Sequence, residues 1–116
     1  MLSVMLYILI LQLTPTGSYK VFDVSAYCPC KRCCGPNAQG ITASGYKIKA
    51  GDRLVAADKR YRFGTTLIVP GYNKSQPVKV LDRGGAIKGD KIDLLFSTHQ
   101  KALIWGRKKV KVFIWE

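Results

Sequence analysis

Two aspartates stand in runs of apolar residues, where a half-buried strand normally carries an aliphatic side chain. Asp82 ends the run that starts at Val78, and Asp93 lies inside the run 91–96, with the glycine-rich turn 83–89 between them. Apolar surroundings disfavour the ionised form of a carboxyl group and raise its pKa, and a second carboxylate nearby raises it further. A carboxylic acid that keeps its proton near neutral pH is what cleavage of a glycosidic bond requires. The pair therefore predicts a site for acid/base chemistry.

Few other acidic residues are available for such acid/base chemistry. Of the seven acidic residues, six are aspartates and the seventh is Glu116. Asp58 resembles the pair because it ends the apolar run 54–57, whereas the remaining three fit surfaces or turns: Asp23, Asp52 and Asp90. The competing interpretation is that the three strand aspartates only brace the fold, by accepting hydrogen bonds from amides of the glycine-rich turn.

Four cysteines lie within seven residues of a predicted loop, residues 28–40: Cys28, Cys30, Cys33 and Cys34. Four thiolates suit zinc, although structural zinc sites usually combine two ligand pairs separated by a longer insertion. Disulfides suit an exported chain. Because a bond between adjacent cysteines is strained, Cys28–Cys33 or Cys30–Cys34 pairing is favoured over Cys33–Cys34. Free thiols are the third alternative, and the sequence does not choose among the three.

The other candidate ligands predict neither a metal nor a cofactor. His99 is the only histidine, and its place in the first turn of a predicted helix favours a surface residue over a ligand or a base. Tyr72 and Trp105 carry rings that can stack on a sugar, but the helical spacing of Trp105 favours the core.

The length and the charge of the chain limit its partners. A chain of 116 residues forms one small domain, and its formal net charge is +12. Such a charge attracts polyanions, for example nucleic acid or an anionic wall polymer. The sequence contains no recognition-helix pattern and no aromatic–basic motif, so we expect no nucleic-acid partner.

The N-terminal segment, residues 1–18, is predicted to be separate from the domain over 19–116. Residues 2–13 are almost wholly apolar, and residues 14–18 are small and turn-forming. Such a segment is too short to span a bilayer comfortably and fits a signal peptide or a short anchor. We therefore expect export to the periplasm, the cell wall or the medium, with membrane contact only through this segment where it is not cleaved.

The rest of the chain alternates short apolar runs with turn residues, a pattern typical of a small β protein. One helix is predicted, with Ser97 as its N-cap, Ala102, Leu103 and Trp105 on its apolar face, and its end at Gly106. The six predicted strands cover residues 19–27, 54–57, 66–69, 78–81, 91–96 and 110–115. The fold class is therefore mainly β: a six-stranded closed or nearly closed barrel with one short helix.

Five motifs together resemble the three-aspartate (3D) domain family: Thr42-Ala-Ser-Gly45, Val55-Ala-Ala-Asp58, Leu81-Asp-Arg-Gly-Gly-Ala-Ile-Lys-Gly89, Ile92-Asp-Leu94 and Trp105-Gly-Arg-Lys-Lys-Val-Lys-Val112. The resemblance covers the chain from Val24 onward. It implies a double-psi β-barrel similar to the catalytic barrel of membrane-bound lytic transglycosylase A. It also implies that Asp93 is the general acid/base, Asp82 its close partner and Asp58 the third aspartate.

The resemblance further implies a reaction on peptidoglycan glycan strands. The bond between N-acetylmuramic acid and N-acetylglucosamine is cleaved, and the muramyl C6 hydroxyl closes onto C1 to leave a 1,6-anhydro end. Because the substrate supplies its own nucleophile, a second catalytic carboxylate is not obligatory. The alternative is a noncatalytic barrel that binds cell-wall glycan.

Five further residues are predicted to contact the substrate: Thr42, Ser44, Lys88, Gly84 and Gly85. The hydroxyls would bond to sugar, and Lys88 would meet a lactyl or peptide carboxylate; the competing interpretation of each is ordinary turn chemistry. In the larger transglycosylase a second domain forms the other wall of the groove. Here the grip on the glycan is expected from loops, including the cysteine loop, or from a homodimer.

Overall fold

The structure, a computed structural model, describes residues 17–115. It contains six strands and two short helices. These are β1 (Gly17–Tyr27), α1 (Lys31–Cys34), β2 (Val55–Ala57), β3 (Thr66–Ile68), β4 (Val78–Asp82), β5 (Lys91–Leu95), α2 (His99–Trp105) and β6 (Lys108–Trp115). The predicted N-terminal segment, residues 1–18, lies outside the described residues except for Gly17 and Ser18, which belong to β1.

The six strands close into a barrel in the order β1-β5-β2-β4-β3-β6. β1 runs parallel to β5, and β2 runs parallel to β4. The other neighbouring strands are antiparallel. The predicted fold class, a mainly β six-stranded double-psi barrel with one short helix, is confirmed. α1 adds a single turn to it, and a 3-10 turn covers Asn73–Ser75.

The core lies inside the barrel because alternate residues of each strand point inward. Burying each aliphatic side chain contributes about 1.5–3 kcal/mol relative to leaving it exposed. The fully buried strand residues include Phe22, Val24, Val55, Leu67, Val80, Ile92, Leu94 and Val112. Along β1 and β6 the buried residues alternate with more exposed ones, whereas all three residues of β2 are buried.

Helix α2 corrects two details of the prediction. Its N-cap is Thr98 rather than Ser97, and the Thr98 side chain accepts a hydrogen bond from Lys101 N at 3.1 Å. Leu103, predicted on the apolar face, is 67% exposed. The helix ends at Gly106 as predicted, with a positive φ of 70° that suits glycine. Trp105 packs against the core and donates to Val24 O at 3.4 Å.

Tyr72 also belongs to the core, where its ring is 1% exposed. Its hydroxyl donates to Leu95 O and accepts from Leu54 N at 3.1 Å, and burial raises the pKa of Tyr72 well above the ordinary value. No helix among residues 17–115 is both long and apolar enough to cross a membrane.

Candidate active site

Strand register brings Asp82 and Asp93 to the same face of the sheet. Ala56 on β2 pairs with Asp82 on β4 and with Asp93 on β5, next to a register irregularity between Val55 and Ala56. The two aspartates are therefore two strand spacings apart, roughly 10 Å between their Cα atoms. The small side chain of Ala56 leaves the space between the two carboxyl groups open.

Asp93 is half-buried and has one side-chain hydrogen-bond donor. Ser25 lies opposite it on the parallel strand β1, and Ser25 Oγ donates to Asp93 Oδ1 at 2.9 Å. Burial raises the pKa of Asp93 above its ordinary value. The Ser25 hydrogen bond lowers this pKa, the negative charge of Asp82 raises it and the positive charge of Arg107 lowers it. The net effect is a carboxylic acid that holds its proton more tightly than a free aspartate.

Asp82 accepts three hydrogen bonds instead of one. The Tyr27 hydroxyl donates to Oδ2 at 2.8 Å, and the backbone amides of Ala43 and Arg83 donate to Oδ1 at 2.8 Å and 2.9 Å. Burial and the neighbouring charge of Asp82 raise the pKa of Tyr27 far above the ordinary value for a tyrosine. Tyr27 is thus a hydrogen-bond donor throughout the neutral range, and Asp82 is held in one orientation beside Asp93.

The turn 42–46 positions the Ala43 amide that binds Asp82. Thr42 is only 4% exposed, and its Oγ1 accepts a hydrogen bond from Tyr46 N at 3.1 Å. Its hydroxyl and that of Ser44 are 2.8 Å apart. Gly45 has a positive φ of 88°, which this tight turn requires. The two hydroxyls shape the turn, and their predicted contact with sugar stays a prediction.

Three adjoining cavities form one continuous depression, which we call the groove. The central cavity, about 330 Å³, is lined by Asp82, Asp93, Ala56, Tyr27, Cys33, Cys34, Ile41, Arg83 and Gly84. On one side, a cavity of about 300 Å³ runs along residues 37–41 and shares Asp82 and Tyr27 with the centre. On the other, a cavity of about 320 Å³ shares Arg83 and Gly84. The groove is therefore elongated, with the two strand aspartates in its middle.

Asp58 lies at one end of the groove. Its Oδ2 accepts from Gly89 N at 2.6 Å and its Oδ1 from Arg60 N at 3.0 Å. These backbone hydrogen bonds lower the pKa of Asp58 below its ordinary value, and the bond from Gly89 has the largest effect. The exposed Lys88 lines the same cavity. The structure thus brings Asp82 and Asp93 together and places Asp58 and Lys88 in the adjoining cavity.

The two predicted glycines differ in their surroundings. A Cβ on Gly84 would lie 2.9 Å from Ile87 Cγ1, so a side chain there requires the Ile87 side chain or the turn to shift. Gly84 lines both the central cavity and the Asp58 cavity, whereas Gly85 is exposed and has open space beside it. Gly84 is therefore required for the close approach of the turn, and a contact of Gly85 with substrate stays a prediction.

Comparison with known protein families identifies the family of this chain. The family model described as "3D domain" matches residues 53–116, the segment that contains all three strand aspartates. The chain belongs to the 3D domain family. The match begins after the cysteine loop and the turn 42–46, so these parts are additional to the matched segment.

Two relatives of this 3D domain chain occur in Bacillus subtilis (strain 168). "Putative cell wall shaping protein YabE" is 33% identical over 101 residues, covering 85% of this chain and 23% of the relative. "Cell wall-binding protein YocH" is 34% identical over 76 residues, covering 63% of this chain and 25% of the relative. The chain thus spans about a quarter of the length of these relatives.

A solved structure supports the fold. A variant of the E. coli lytic transglycosylase MltA in its apo-2 form superposes with a TM-score of 0.51 at 23% identity, covering 66% of this chain and 27% of that chain. At this identity the likeness shows that the 3D domain barrel and part of the transglycosylase share a fold.

The cysteine loop borders the groove, and the contacts between its sulfurs differ from the pairings that the sequence favoured. The sulfurs of Cys28 and Cys30 lie in disulfide contact, and Cys33 and Cys34 are free thiols. Neither pairing that the sequence favoured is formed, and the sequence had left zinc, disulfides and free thiols open as alternatives. Sequence separation cannot indicate this pairing, because the α1 turn decides which sulfurs meet. Cys34 Sγ donates to Cys28 O at 3.2 Å, and burial raises the pKa of the Cys34 thiol.

Sequence reasoning missed the donors that hold the carboxyl groups. Ser25 and Tyr27 alternate with apolar residues along β1, but only the closed barrel places them beside Asp93 on β5 and Asp82 on β4, which lie 55 or more positions away. Arg83 was also missed. Its guanidinium donates to Tyr61 O at 2.8 Å and lies 4.0 Å from the centre of the Phe63 ring. For Ser25 and Tyr27, the only signal in the sequence was a polar side chain at alternate positions of the otherwise apolar strand β1.

Proposed function

We propose that the chain is a lytic transglycosylase acting on peptidoglycan, a carbon–oxygen lyase that leaves 1,6-anhydromuramyl ends. The observation that supports this proposal best is the position of Asp93. It is a half-buried carboxyl group with a raised pKa, and it lines the middle of an elongated groove beside a second carboxyl group. An acid that keeps its proton to higher pH than a free aspartate is suited to protonate the oxygen of a glycosidic bond.

The proposed reaction uses Asp93 twice. Its carboxyl proton passes to the glycosidic oxygen as the bond to the muramyl C1 breaks, and positive charge develops at C1 and the ring oxygen. The Asp93 carboxylate then takes the proton of the muramyl C6 hydroxyl, and O6 forms a bond to C1. Asp82 offers negative charge next to the developing cation and keeps the proton of Asp93 in place. The sugar supplies its own nucleophile, unlike the substrate of a retaining glycosidase.

The shape and the charge of the molecule fit a wall polymer. Three adjoining cavities give an extended binding surface, as a linear glycan needs. The net charge of +12 attracts anionic polymers of a cell envelope. The relatives named for cell wall shaping and cell wall binding agree with this substrate class. We therefore also propose that the protein works outside the cytoplasm.

A noncatalytic glycan-binding barrel is the second candidate. A relative that is 34% identical is named as a cell wall-binding protein. In this alternative, Asp58, Asp82 and Lys88 would bond to sugar hydroxyls or to peptide carboxylates, and Asp93 would transfer no proton.

Digestion of purified peptidoglycan separates the two candidates. The wild-type protein is incubated with insoluble sacculi, and soluble products are identified by mass spectrometry. We expect 1,6-anhydromuropeptides from the wild type and none from Asp93→Asn. Asp90→Asn is a matched control, because Asp90 is exposed, outside the groove and paired with Lys20 and Arg60. Cosedimentation with sacculi without any product favours the binding barrel, and products that survive Asp93→Asn contradict the proposed acid.

A further inference from the structure

Four metal-binding side chains converge beside the groove, in a cluster that the proposed reaction does not use. Cys28, Cys30 and Cys33 come from the loop after β1 and from α1, and His99 is the first residue of α2. One ligand atom from each lies within 4.8 Å of all the others. We propose that these four residues form a structural zinc site that fastens the cysteine loop to α2.

The distances from the His99 imidazole to the three sulfurs agree with tetrahedral zinc. Zinc binds thiolate sulfur at about 2.3 Å and imidazole nitrogen at about 2.0–2.1 Å, so a tetrahedral site separates sulfur from nitrogen by roughly 3.6 Å. His99 Nδ1 lies 3.3 Å from Cys33 Sγ, 3.7 Å from Cys30 Sγ and 3.8 Å from Cys28 Sγ. The imidazole thus faces all three sulfurs at close to the required separation.

The presence of His99 distinguishes a metal site from a simple disulfide. Disulfide contact between Cys28 and Cys30 involves only those two sulfurs, yet Cys28 Sγ also lies 3.3 Å from Cys33 Sγ. Three thiolates and one imidazole make up a ligand set of structural zinc sites. Zinc and the disulfide are alternatives, because the metal takes the two thiols only when they are reduced.

The fourth cysteine lies outside the proposed site. The Cys34 thiol donates to Cys28 O at 3.2 Å, and Cys34 lines the groove, away from the imidazole. Zinc binding would deprotonate three thiols and use Nδ1 of a neutral imidazole, which leaves the His99 proton on Nε2. Four protein ligands leave no open position on the metal, so its role is structural.

The proposed site holds one wall of the groove. Cys33 is a zinc ligand in this proposal and also lines the central cavity beside Asp93. His99 belongs to α2, whose Trp105 contacts β1 through Val24 O. Zinc would therefore fix the distance between the cysteine loop and the barrel. Without the metal, only weaker contacts hold the loop in place.

Metal analysis of the full chain tests this proposal. The protein is purified with a phosphine reductant, and zinc is measured by mass spectrometry together with free thiols. We expect one zinc per chain. After chelation, Co²⁺ should give the intense d–d bands of a tetrahedral site and a thiolate charge-transfer band. A reduced protein that binds neither metal at stoichiometry overturns the proposal, and so does a disulfide that persists under the reductant.

Two matched serine variants identify the ligands. Cys33→Ser and His99→Ala should lose stoichiometric metal and the cobalt spectrum, whereas Cys34→Ser should keep both. A chelator should lower the melting temperature of the wild type and of Cys34→Ser, with little effect on Cys33→Ser. Equal loss of metal from the Cys33 and Cys34 variants would contradict the ligand set. The wild-type stoichiometry decides the existence of the site even where a variant does not fold.

Discussion

The middle of the groove and one of its ends hold aspartates with opposite surroundings. Asp93 is half-buried, has the single side-chain donor Ser25 and lies beside Asp82, and its pKa is raised. Asp58 accepts hydrogen bonds from two backbone amides, and its pKa is lowered. Both residues are aspartates, so burial and the number of hydrogen-bond donors decide which of the two carboxyl groups keeps its proton to higher pH.

The strongest test of this difference compares two Asp→Asn substitutions under the proposed function. We expect Asp93→Asn to reduce the rate of anhydromuropeptide release by about 10²–10⁴-fold, because a general acid typically contributes that factor. Asp58→Asn should reduce it by less than about tenfold, because that carboxylate lies in the adjoining cavity and transfers no proton. Initial rates on sacculi at saturating and limiting substrate measure both effects.

Equal losses from Asp93→Asn and Asp58→Asn would remove the distinction between the middle of the groove and its Asp58 end. Circular dichroism spectra of both variants serve as the control for folding, so that a lost rate is not mistaken for a lost fold.

A second test alters the charge next to Asp93. Asp82→Asn removes a negative charge that raises the pKa of Asp93. The acid therefore loses its proton at a lower pH, and the alkaline limb of the pH–rate profile should move to lower pH. At neutral pH we expect a loss on the order of tenfold. Tyr27→Phe removes one donor to Asp82 without changing charge, so its profile should move less; an unshifted profile in Asp82→Asn would show that the carboxyl groups do not interact.

The stability of the two variants should depend on pH in opposite directions. The folded-state pKa of Asp93 is raised, so its contribution to stability is present below the unfolded pKa and is lost as pH rises through the folded pKa. Asp93→Asn should therefore gain stability over the wild type as pH rises, by a few degrees in melting temperature. Asp58 has a lowered pKa, so its contribution is present above the unfolded pKa and is lost as pH falls through the folded pKa.

Asp58→Asn should accordingly be less stable than the wild type at neutral pH, with the difference disappearing in acid. Thermal unfolding of both variants from pH 3 to pH 8 measures the two trends. Parallel trends would mean that the surroundings of the two carboxyl groups are equivalent.

The smallest expected effect comes from Ser25→Ala. The Ser25 hydrogen bond lowers the pKa of Asp93, so its removal raises this pKa, and the alkaline limb of the rate profile should move to higher pH. The maximal rate should change by less than about threefold, because the acid itself remains. Ser18→Ala, on the exposed start of β1, is the control that should leave the profile unchanged. A shift to lower pH in Ser25→Ala would contradict the assigned donor.

Sequence reasoning predicted the strands because alternation of apolar residues reports which face of each strand is buried. It predicted the end of α2 at Gly106 because a positive φ there favours glycine. It placed the N-cap one residue early, at Ser97, because two adjacent hydroxyl residues offer equivalent caps and only the backbone decides between them. The exposure of Leu103 was missed because the packing of α2 against β1 selects the buried side of the helix.

The sequence by itself determined the barrel, the family and the aspartates at positions 58, 82 and 93, since these depend on residue type and local pattern. Only the tertiary structure decided what surrounds them. The parallel pairing of β1 with β5 brings Ser25 to Asp93, and the packing of α2 brings His99 to cysteines 66 or more residues away. Hydrogen bonds, burial and ligand sets depend on distances in space. Contacts between residues that are far apart in the chain produce no periodic pattern in the sequence, so the sequence alone does not predict them.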